Sequence, residues 1–325
     1  MADMIYLGED LGMGANKLWG AHGGLQVVSQ VALNGSKHLS DGILGLARGE
    51  RPICVRGNFG SFYVGKGAQE HGRPVGGLDF ERLTGAPEMR ALFYGSLAKY
   101  QEEYGPFDAP LALMVGLPFQ MMMGEKAKEY QDAVKKWMKG IHEFEVDGIT
   151  HRVEVAKVSM TLQSVGALYD YVLDMDGNVI PERAGAMLDE VGVISPGFNT
   201  VEMLVVKEKR SFDRFTRGNT SGVRRLLEIM NRNGEWSLQE LDEKVRSGRM
   251  RTELKQALPI WEREVRKEIE DAWEGTKWSR FYKVLVVGGG SILLRNELTA
   301  LFGAKAWFAD EPVFSTACGL WKLMK

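Results

Sequence analysis

A glycine-rich turn follows directly on the first apolar segment of the chain and limits what the N-terminal region can fold into. Residues 8–17 read GEDLGMGANK and come after the apolar residues 4–7. Three glycines let backbone N–H groups approach an anion closely, because no Cβ intrudes and φ can be positive. Asp10 is placed to hold a hydrated Mg²⁺, and Lys17 offers a point charge for phosphate groups. A β-hairpin turn with a solvated lysine fits the same residues.

Composition places the chain among ordinary globular proteins. It has 325 residues, of which 44% are hydrophobic and 26% charged, enough for two domains or one bilobal unit. A net charge of −2 provides no field for gripping a nucleic-acid backbone, so we expect no direct nucleic-acid binding. No apolar run approaches bilayer length and no signal-peptide pattern opens the chain, so we expect a cytoplasmic protein without membrane association.

The order of apolar runs predicts an α/β chain. A continuous apolar run at 111–118 is typical of a strand buried on both faces. Further strands are predicted at 191–195 and 201–206, and helices at 88–104, 124–139, 163–172, through most of 220–275, and at 313–324. Strand-turn-strand units on both sides of a central crossover predict two related α/β halves.

Two other glycine-rich segments resemble known phosphate-binding motifs, but each lacks one residue that its motif requires. Residues 60–67, GSFYVGKG, lack the Ser or Thr that follows the lysine of a P-loop. Residues 288–293, GGGSIL, place Leu293 where a dinucleotide fingerprint needs its third glycine. Neither segment therefore predicts a phosphate site of those two types.

Two further segments support a phosphate site when they are considered together with the turn at 8–17. Residues 195–200, SPGFNT, join two predicted strands in the second half of the chain and mirror the turn at 8–17. Two such turns could clamp a phosphate chain from both sides. Gln163 begins a predicted helix, where a glutamine could orient an attacking water. A surface glutamine at a helix start is the alternative interpretation.

With these residues assembled, the chain resembles the actin-like ATPase superfamily, and most of all the ParM/StbA-type plasmid segregation proteins and the small archaeal actin-like proteins. The resemblance covers nearly the whole chain, in the family's order. Its segments are the first phosphate motif at 8–17, the first connecting helix around Gln163, the second phosphate motif at 193–202, a helix start near the sugar and base at 218–222, a smaller subdomain at 238–249, the adenosine motif at 286–291 and the second connecting helix at 314–319.

The resemblance implies a fold and a set of site residues. The implied fold is an actin-like bilobal α/β fold, with two related RNase H-like domains and a nucleotide cleft between them. Domain I would comprise residues 1–166 plus 311–325, and domain II residues 167–310. Gln163, Asp10 and Lys17 would be catalytic, with Asp10 also the metal ligand. The implied nucleotide-binding residues are Gly12, Met13, Gly14, Ala15, Asn16, Lys17, Gly197, Phe198, Asn199, Thr200, Gly218, Gly222, Gly288, Gly289, Gly290 and Ser291.

One position departs from the family pattern. Ser195 stands where the second phosphate motif usually carries an Asp that helps to hold Mg²⁺ and the attacking water. Serine keeps a hydroxyl but loses the charge, and removing one transition-state group can cost about two to three orders of magnitude in rate. Glu202 occupies the position of a second frequent Asp, and we expect it to lie too far along its strand to compensate. The resemblance therefore predicts ATP binding with slow hydrolysis.

The function that the resemblance implies is a filament-forming ATPase of the cytoskeleton, using ATP and Mg²⁺, for plasmid or DNA segregation. Its partners would be further copies of the chain and a DNA-bound adaptor protein. A non-polymerising nucleotide-binding sensor and a small-molecule kinase on the same fold are the alternatives. A kinase would need a carboxylate base and a substrate pocket, for which no segment is evident.

Overall fold

The computed structural model describes residues 4–34, 51–76, 79–208, 210–211, 213–274 and 278–325. The chain divides into two compact units, Met1–Thr161 and Leu162–Lys325. Residues 311–325 thus belong to the second unit, whereas the sequence predicts them in domain I. Compactness and domain membership are different properties, so the predicted domain boundaries stay a prediction.

The described residues form strands and helices in mixed order. The strands are β1 (Ile5–Leu11), β2 (Ala15–Gly20), β3 (Gly23–Val28), β4 (Val31–Leu33), β5 (Ile53–Gly57), β6 (Gly60–Val64), β7 (Arg73–Pro74), β8 (Leu111–Leu117), β9 (Gly140–Val146), β10 (Ile149–Leu162), β11 (Val191–Pro196), β12 (Val201–Lys207), β13 (Arg210–Ser211), β14 (Arg217–Asn219), β15 (Lys283–Val286) and β16 (Ala306–Phe308). The α-helices are α1 (Ala68–His71), α2 (Pro87–Tyr104), α3 (Phe119–Met122), α4 (Ala127–Met138), α5 (Gln163–Val172), α6 (Val223–Met230), α7 (Leu238–Arg246), α8 (Arg251–Ala272), α9 (Ser291–Phe302) and α10 (Ser315–Lys322).

A mixed sheet organises the first unit. Its described strands run in the order β3-β2-β1-β8-β10-β9-β5-β6-β4-β7. Strand β1 pairs antiparallel with β2 and parallel with β8. The β8 run LALMVGL is almost entirely buried, as its continuous apolar sequence predicts. The turn between β1 and β2 therefore connects two inner strands of the sheet rather than an edge strand.

The core of the first unit lies between this sheet and α2. Pro87 opens α2, where a proline costs no hydrogen bond. A Cβ on Gly20 would lie 2.3 Å from the Tyr100 hydroxyl and one on Gly95 would lie 2.7 Å from Val64, so the two glycines let strand and helix approach. The sheet that carries the first turn is thus packed tightly from behind.

The second unit is built on a smaller sheet with two differently covered faces. Its described strands run β13-β12-β11-β15-β16, and β14 pairs with β12. Ile194 and its neighbours on one face pack with α6, α8 and α9. Val193 and Leu204, on the other face, pack with Ala167 and Leu168 of α5. The two-residue alternation along β11 therefore decides which residues meet α5.

Helices α5 and α10 cross at two glycines within the second unit. A Cβ on Gly319 would lie 1.8 Å from the carbonyl oxygen of Gly166, so no larger residue fits. Asp170 accepts hydrogen bonds from Ser315 Oγ at 2.6 Å and from Lys322 Nζ at 2.8 Å. The pair Asp170–Lys322 is largely buried, with side-chain exposures of 15% and 8%. This crossing fixes α5, and with it Gln163, against the C-terminal helix.

An apolar stripe lies along α8. Trp261, Val265 and Ile269 are fully buried against the second sheet. The exposed side carries charged pairs such as Arg266–Glu270. Among the helices of the described residues, none combines the length and the apolar character that crossing a membrane requires.

Candidate functional site

The first turn, residues 8–17, brings a carboxylate and a lysine together. Asp10 and Lys17 are direct neighbours in the β1–β2 register. Lys17 Nζ donates to Asp10 Oδ2 at 2.8 Å, and the two side chains are only 16% and 9% exposed. A Cβ on Gly12 would lie 2.7 Å from the Ala15 carbonyl oxygen and 3.0 Å from Lys17 Nζ. Glycine at position 12 therefore lets the ammonium group lie against the turn.

Ser29 sets the orientation of the peptide groups in the first turn. Its hydroxyl donates to the carbonyl oxygen of Gly12 at 2.6 Å, and its backbone N–H donates to that of Gly14 at 3.1 Å. In a trans peptide the carbonyl and the following N–H point in opposite directions. The N–H groups of Met13 and Ala15 therefore point away from Ser29, which gives this turn one N–H face.

Glu9 and Asn16 lie on the other face of the hairpin from Asp10 and Lys17, because successive strand residues alternate. Both are fully buried. Burial raises the pKa of the Glu9 carboxyl well above its usual range; a hydrogen bond from Asn16 opposes the rise and the charge of Asp10 adds to it. The protonated form of Glu9 is thus favoured, and Asp10 is the carboxylate of the turn that contacts a lysine. Asn16 supports the turn from its core side.

The second turn, residues 195–200, is tied to the start of α6. The N–H groups of Gly222, Val223 and Arg224 donate to the carbonyl oxygens of Asn199, Gly197 and Phe198, at 3.3, 3.0 and 2.7 Å. By the same peptide geometry, the N–H groups of residues 198–200 point away from α6. Successive N–H groups on one side of a turn form a concave anion-binding surface.

Two glycines near the second turn have packing roles. A Cβ on Gly222 would lie 2.5 Å from the Phe198 carbonyl oxygen and 2.6 Å from backbone atoms of Asn199 and Thr200. Gly222 therefore permits the contact between α6 and the turn, and its contact with a nucleotide stays a prediction. Gly218 pairs with Glu202 in the β12–β14 register and leaves space beside that side chain.

The triple-glycine turn, residues 288–290, packs on the end of β11. Gly290 N–H donates to the Pro196 carbonyl oxygen at 2.9 Å, and Gly288 N–H donates to that of Pro312 at 2.7 Å. A Cβ on Gly288 or Gly290 would lie 2.9 Å from the Pro196 oxygen, whereas one on Gly289 would meet nothing within 4 Å. Ser291 Oγ donates to the Gly288 carbonyl oxygen at 2.6 Å. Gly289 is thus the exposed, flat backbone position of the group.

The position of Glu202 relative to Ser195 could not be predicted from the sequence. Glu202 is directly opposite Ser195 in the β11–β12 register and is only 3% exposed. Side chains of opposite residues project from the same face of a sheet, so Glu202 lies beside Ser195, and the expectation that it does not compensate for the missing charge stays a prediction. Gln163, half-buried, is the first residue of α5, which packs on this same face. The predicted helix start at 163 is confirmed.

The residues present fit a nucleotide with a hydrated divalent cation. Backbone N–H groups and a positive charge bind phosphate groups. The first turn supplies both, through its N–H face and Lys17. Among the described residues, no group of three or more His, Cys, Asp or Glu side chains is arranged to hold a metal ion. A site with one carboxylate suits Mg²⁺, which keeps several waters and is bound largely through substrate phosphates. Asp10 is the residue of the first turn that would hold it.

Several side chains and carbonyl oxygens that shape the site could not be predicted from the sequence. Ser29 orients the first turn from the end of β3, and the carbonyl oxygens of Pro196 and Pro312 hold the triple-glycine turn. No residue pattern marks them, because their role depends on strand pairing and on backbone atoms. The same holds for Glu202, whose register with Ser195 follows only from the two-residue turn at Phe198–Asn199.

The fold is that of solved actin-like proteins. Residues 8–166 match the family model of the N-terminal domain of actin-like proteins, so the chain contains that domain and the resemblance drawn from the sequence is confirmed. No curated protein matches the chain significantly in sequence.

Solved structures of actin-like proteins share the fold over almost the entire chain. An apo structure of psk41 ParM has a TM-score of 0.74 and 15% identity, covering 99% of this chain and 97% of that one. A complex of the archaeal actin homologue Ta0583 with ADP has a TM-score of 0.72 and 16% identity, covering 99% of both. A 15-stranded ParM filament from Clostridium botulinum has a TM-score of 0.76 and 16% identity, covering 98% of both.

Proposed function

We propose that the chain binds ATP·Mg²⁺ through the first and second turns. The observation that carries the proposal is made in each turn by itself: the peptide groups present their N–H groups on one side of the turn. In each turn, donors of the protein hold the carbonyl oxygens on one side, Ser29 in the first and the start of α6 in the second, and the N–H groups point to the other side. Gly289 then offers a flat surface for the sugar or base. The ADP complex of the archaeal actin homologue supports a nucleotide as the ligand.

Within this proposal the charged residues have separate roles. Lys17 neutralises the β- and γ-phosphates, and Asp10 holds the metal through its water shell. Gln163 orients the attacking water, as phosphoryl-transfer sites require. Ser195 carries no charge, so hydrolysis is slower than in relatives with Asp at that position. Titration calorimetry of the purified chain with ATP, with and without Mg²⁺, tests the binding; no heat of binding at millimolar ATP would contradict it.

We further propose that the ATP-bound chain assembles into cytoskeletal filaments in the cytoplasm. The support is the likeness to a ParM filament over 98% of the chain. Segregation of a plasmid or other DNA through a DNA-bound adaptor is the cellular role that fits such a filament. Light scattering and negative-stain microscopy with ATP·Mg²⁺ test assembly. Absence of filaments across ATP, ADP and a range of salt concentrations would contradict it.

A nucleotide-binding sensor that neither polymerises nor turns over is the second candidate, and Ser195 is the observation that favours it. Loss of the charged group at this position weakens hydrolysis more than binding. Sedimentation velocity distinguishes the two candidate functions. A sensor stays monomeric in sedimentation velocity at every nucleotide state, whereas a filament-forming protein sediments as large species with ATP.

A further inference from the structure

Two polar side chains lie in the core directly behind the first turn. Glu9 and Asn16 are both fully buried. Glu9 pairs with Leu18 and Asn16 pairs with Leu11 in the β1–β2 register, so Glu9 and Asn16 are diagonal neighbours on one face of the hairpin. Diagonal neighbours lie about 7–8 Å apart, a distance that long side chains can bridge. The two polar groups therefore share one small region of the core.

The surroundings of this pair are apolar. The side chains that flank it on the same face all belong to the core of the first unit: Leu11, Leu18, Val27 and Val115. The Asn16 amide is close enough to the Glu9 carboxyl to influence its pKa. Within the described residues, however, none of the four polar atoms of the two side chains has a hydrogen-bond partner of ordinary distance and angle. Buried polar atoms are almost always hydrogen-bonded to protein or to ordered water, so a small bound molecule is expected between Glu9 and Asn16.

The donors and acceptors of the pair match a water molecule. A neutral carboxyl offers a donor and an acceptor, and the Asn16 amide offers two donors and an acceptor. Water has two donors and two acceptor sites, so it can bond to both groups at once, and buried waters make about three hydrogen bonds each. A divalent cation needs about six or more oxygen ligands, and the flanking leucines and valines add no side-chain oxygen. The region therefore suits a small neutral molecule.

We propose that Glu9 and Asn16 hold one internal water molecule, which fixes the first turn in the conformation that binds phosphate. The role in phosphate binding rests on the proposed ATP binding. Glu9 precedes Asp10 and Asn16 precedes Lys17, and successive strand residues point to opposite faces. Hydrogen bonding on the core side of both strands therefore restricts the positions of the Asp10 carboxylate and the Lys17 ammonium group on the other face.

Substitutions of the pair separate positioning of the turn from simple packing. Glu9→Gln keeps a neutral donor and acceptor in the same shape, so ATP affinity should stay within about twofold of wild type. The double variant Glu9→Met/Asn16→Leu removes both polar groups, and the less restricted turn should bind ATP about five- to tenfold more weakly, with adenosine affinity unchanged. Its urea midpoint should equal or exceed that of wild type, because replacing both polar partners by apolar groups leaves neither unsatisfied. Leu97→Met, in the same core, is the matched control and should alter neither affinity.

A high-resolution crystal structure of the ligand-free wild-type chain tests the water directly. We expect a water oxygen within about 3 Å of polar atoms of both Glu9 and Asn16. A direct bond between the two side chains, with no water, would overturn the proposal. This structure decides the presence of the water even if the double variant does not fold.

Hydrogen–deuterium exchange without ATP tests the effect on the turn. Peptides that cover residues 12–17 should exchange faster in the double variant than in Glu9→Gln. Wild-type exchange and wild-type ATP affinity in a folded double variant would overturn the positioning role. If the wild-type chain binds no ATP, the proposed function fails, whereas the crystal structure and the exchange rates still test the water and its effect on the turn.

Discussion

The first and second turns present N–H groups in the same way but differ in what else they contribute. The first carries a largely buried ion pair, Asp10–Lys17, and is held by one serine. The second has uncharged residues throughout 195–200, and three N–H groups at the start of α6 hold its backbone. In the proposed site, one turn therefore acts mainly through side-chain charge and the other mainly through backbone geometry. Substitutions should affect the two turns in correspondingly different ways.

The largest effect is expected from Gly222→Ala. Its Cβ would lie 2.5 Å from the Phe198 carbonyl oxygen and 2.6 Å from the Asn199 backbone, which cannot yield as a flexible side chain does. Displacing the second turn should remove several hydrogen bonds to phosphate, each worth about 1.5–3 kcal/mol, and weaken ATP binding by at least about 100-fold. Calorimetry measures the affinity. Gly76→Ala, whose Cβ meets nothing within 4 Å, is the control. Unchanged affinity in Gly222→Ala would mean that the second turn holds no phosphate.

Lys17→Ala should have the next largest effect and tests the charge of the first turn. Loss of one contact between an ammonium group and phosphate is expected to weaken ATP binding about 10–100-fold. Binding of adenosine, which has no phosphate, should stay unchanged. Lys99→Ala, a partly exposed lysine of α2 paired with Glu102, is the control. An equal loss for adenosine and ATP would show that the substitution damages the fold rather than the phosphate contact.

Removal of the metal ion should distinguish the turns further. With EDTA present, wild-type affinity for ATP should fall about tenfold, the size expected for one charge-assisted contact. In Asp10→Asn the affinity should already be lower, and EDTA should change it little. Calorimetric titrations with and without Mg²⁺ measure both. A full metal effect in Asp10→Asn would assign the metal to another residue.

The smallest effects on ATP affinity are expected from substitutions of one side chain at each turn. Ser29→Ala removes the hydrogen bond to the Gly12 carbonyl oxygen and should cost about 1 kcal/mol of unfolding free energy, with a few-fold loss of ATP affinity. Thr200→Ala leaves the backbone of the second turn in place and should change affinity less than twofold. Urea unfolding and calorimetry measure the two quantities. A larger loss in Thr200→Ala than in Ser29→Ala would refute the backbone role of the second turn.

The difference between the turns also explains what the sequence predicts well. Charge and glycine spacing mark Asp10 and Lys17, and apolar periodicity marks α5 and β8, whose bounds agree closely with the prediction. The orientation of the second turn depends instead on Gly222, some twenty residues further along the chain, and on carbonyl oxygens that every residue possesses. Strand register likewise decides the place of Glu202. A one-residue change in register would turn its side chain to the opposite face, so its neighbours could not be read from the sequence.

The central claim, that both turns bind the phosphates of ATP, is tested most directly by a crystal structure with Mg²⁺ and a non-hydrolysable ATP analogue. The account predicts phosphate oxygens within about 3 Å of backbone nitrogens in both residues 12–17 and residues 198–200, with Lys17 Nζ on a phosphate. An analogue bound elsewhere, or one that touches only one of the two turns, would contradict it.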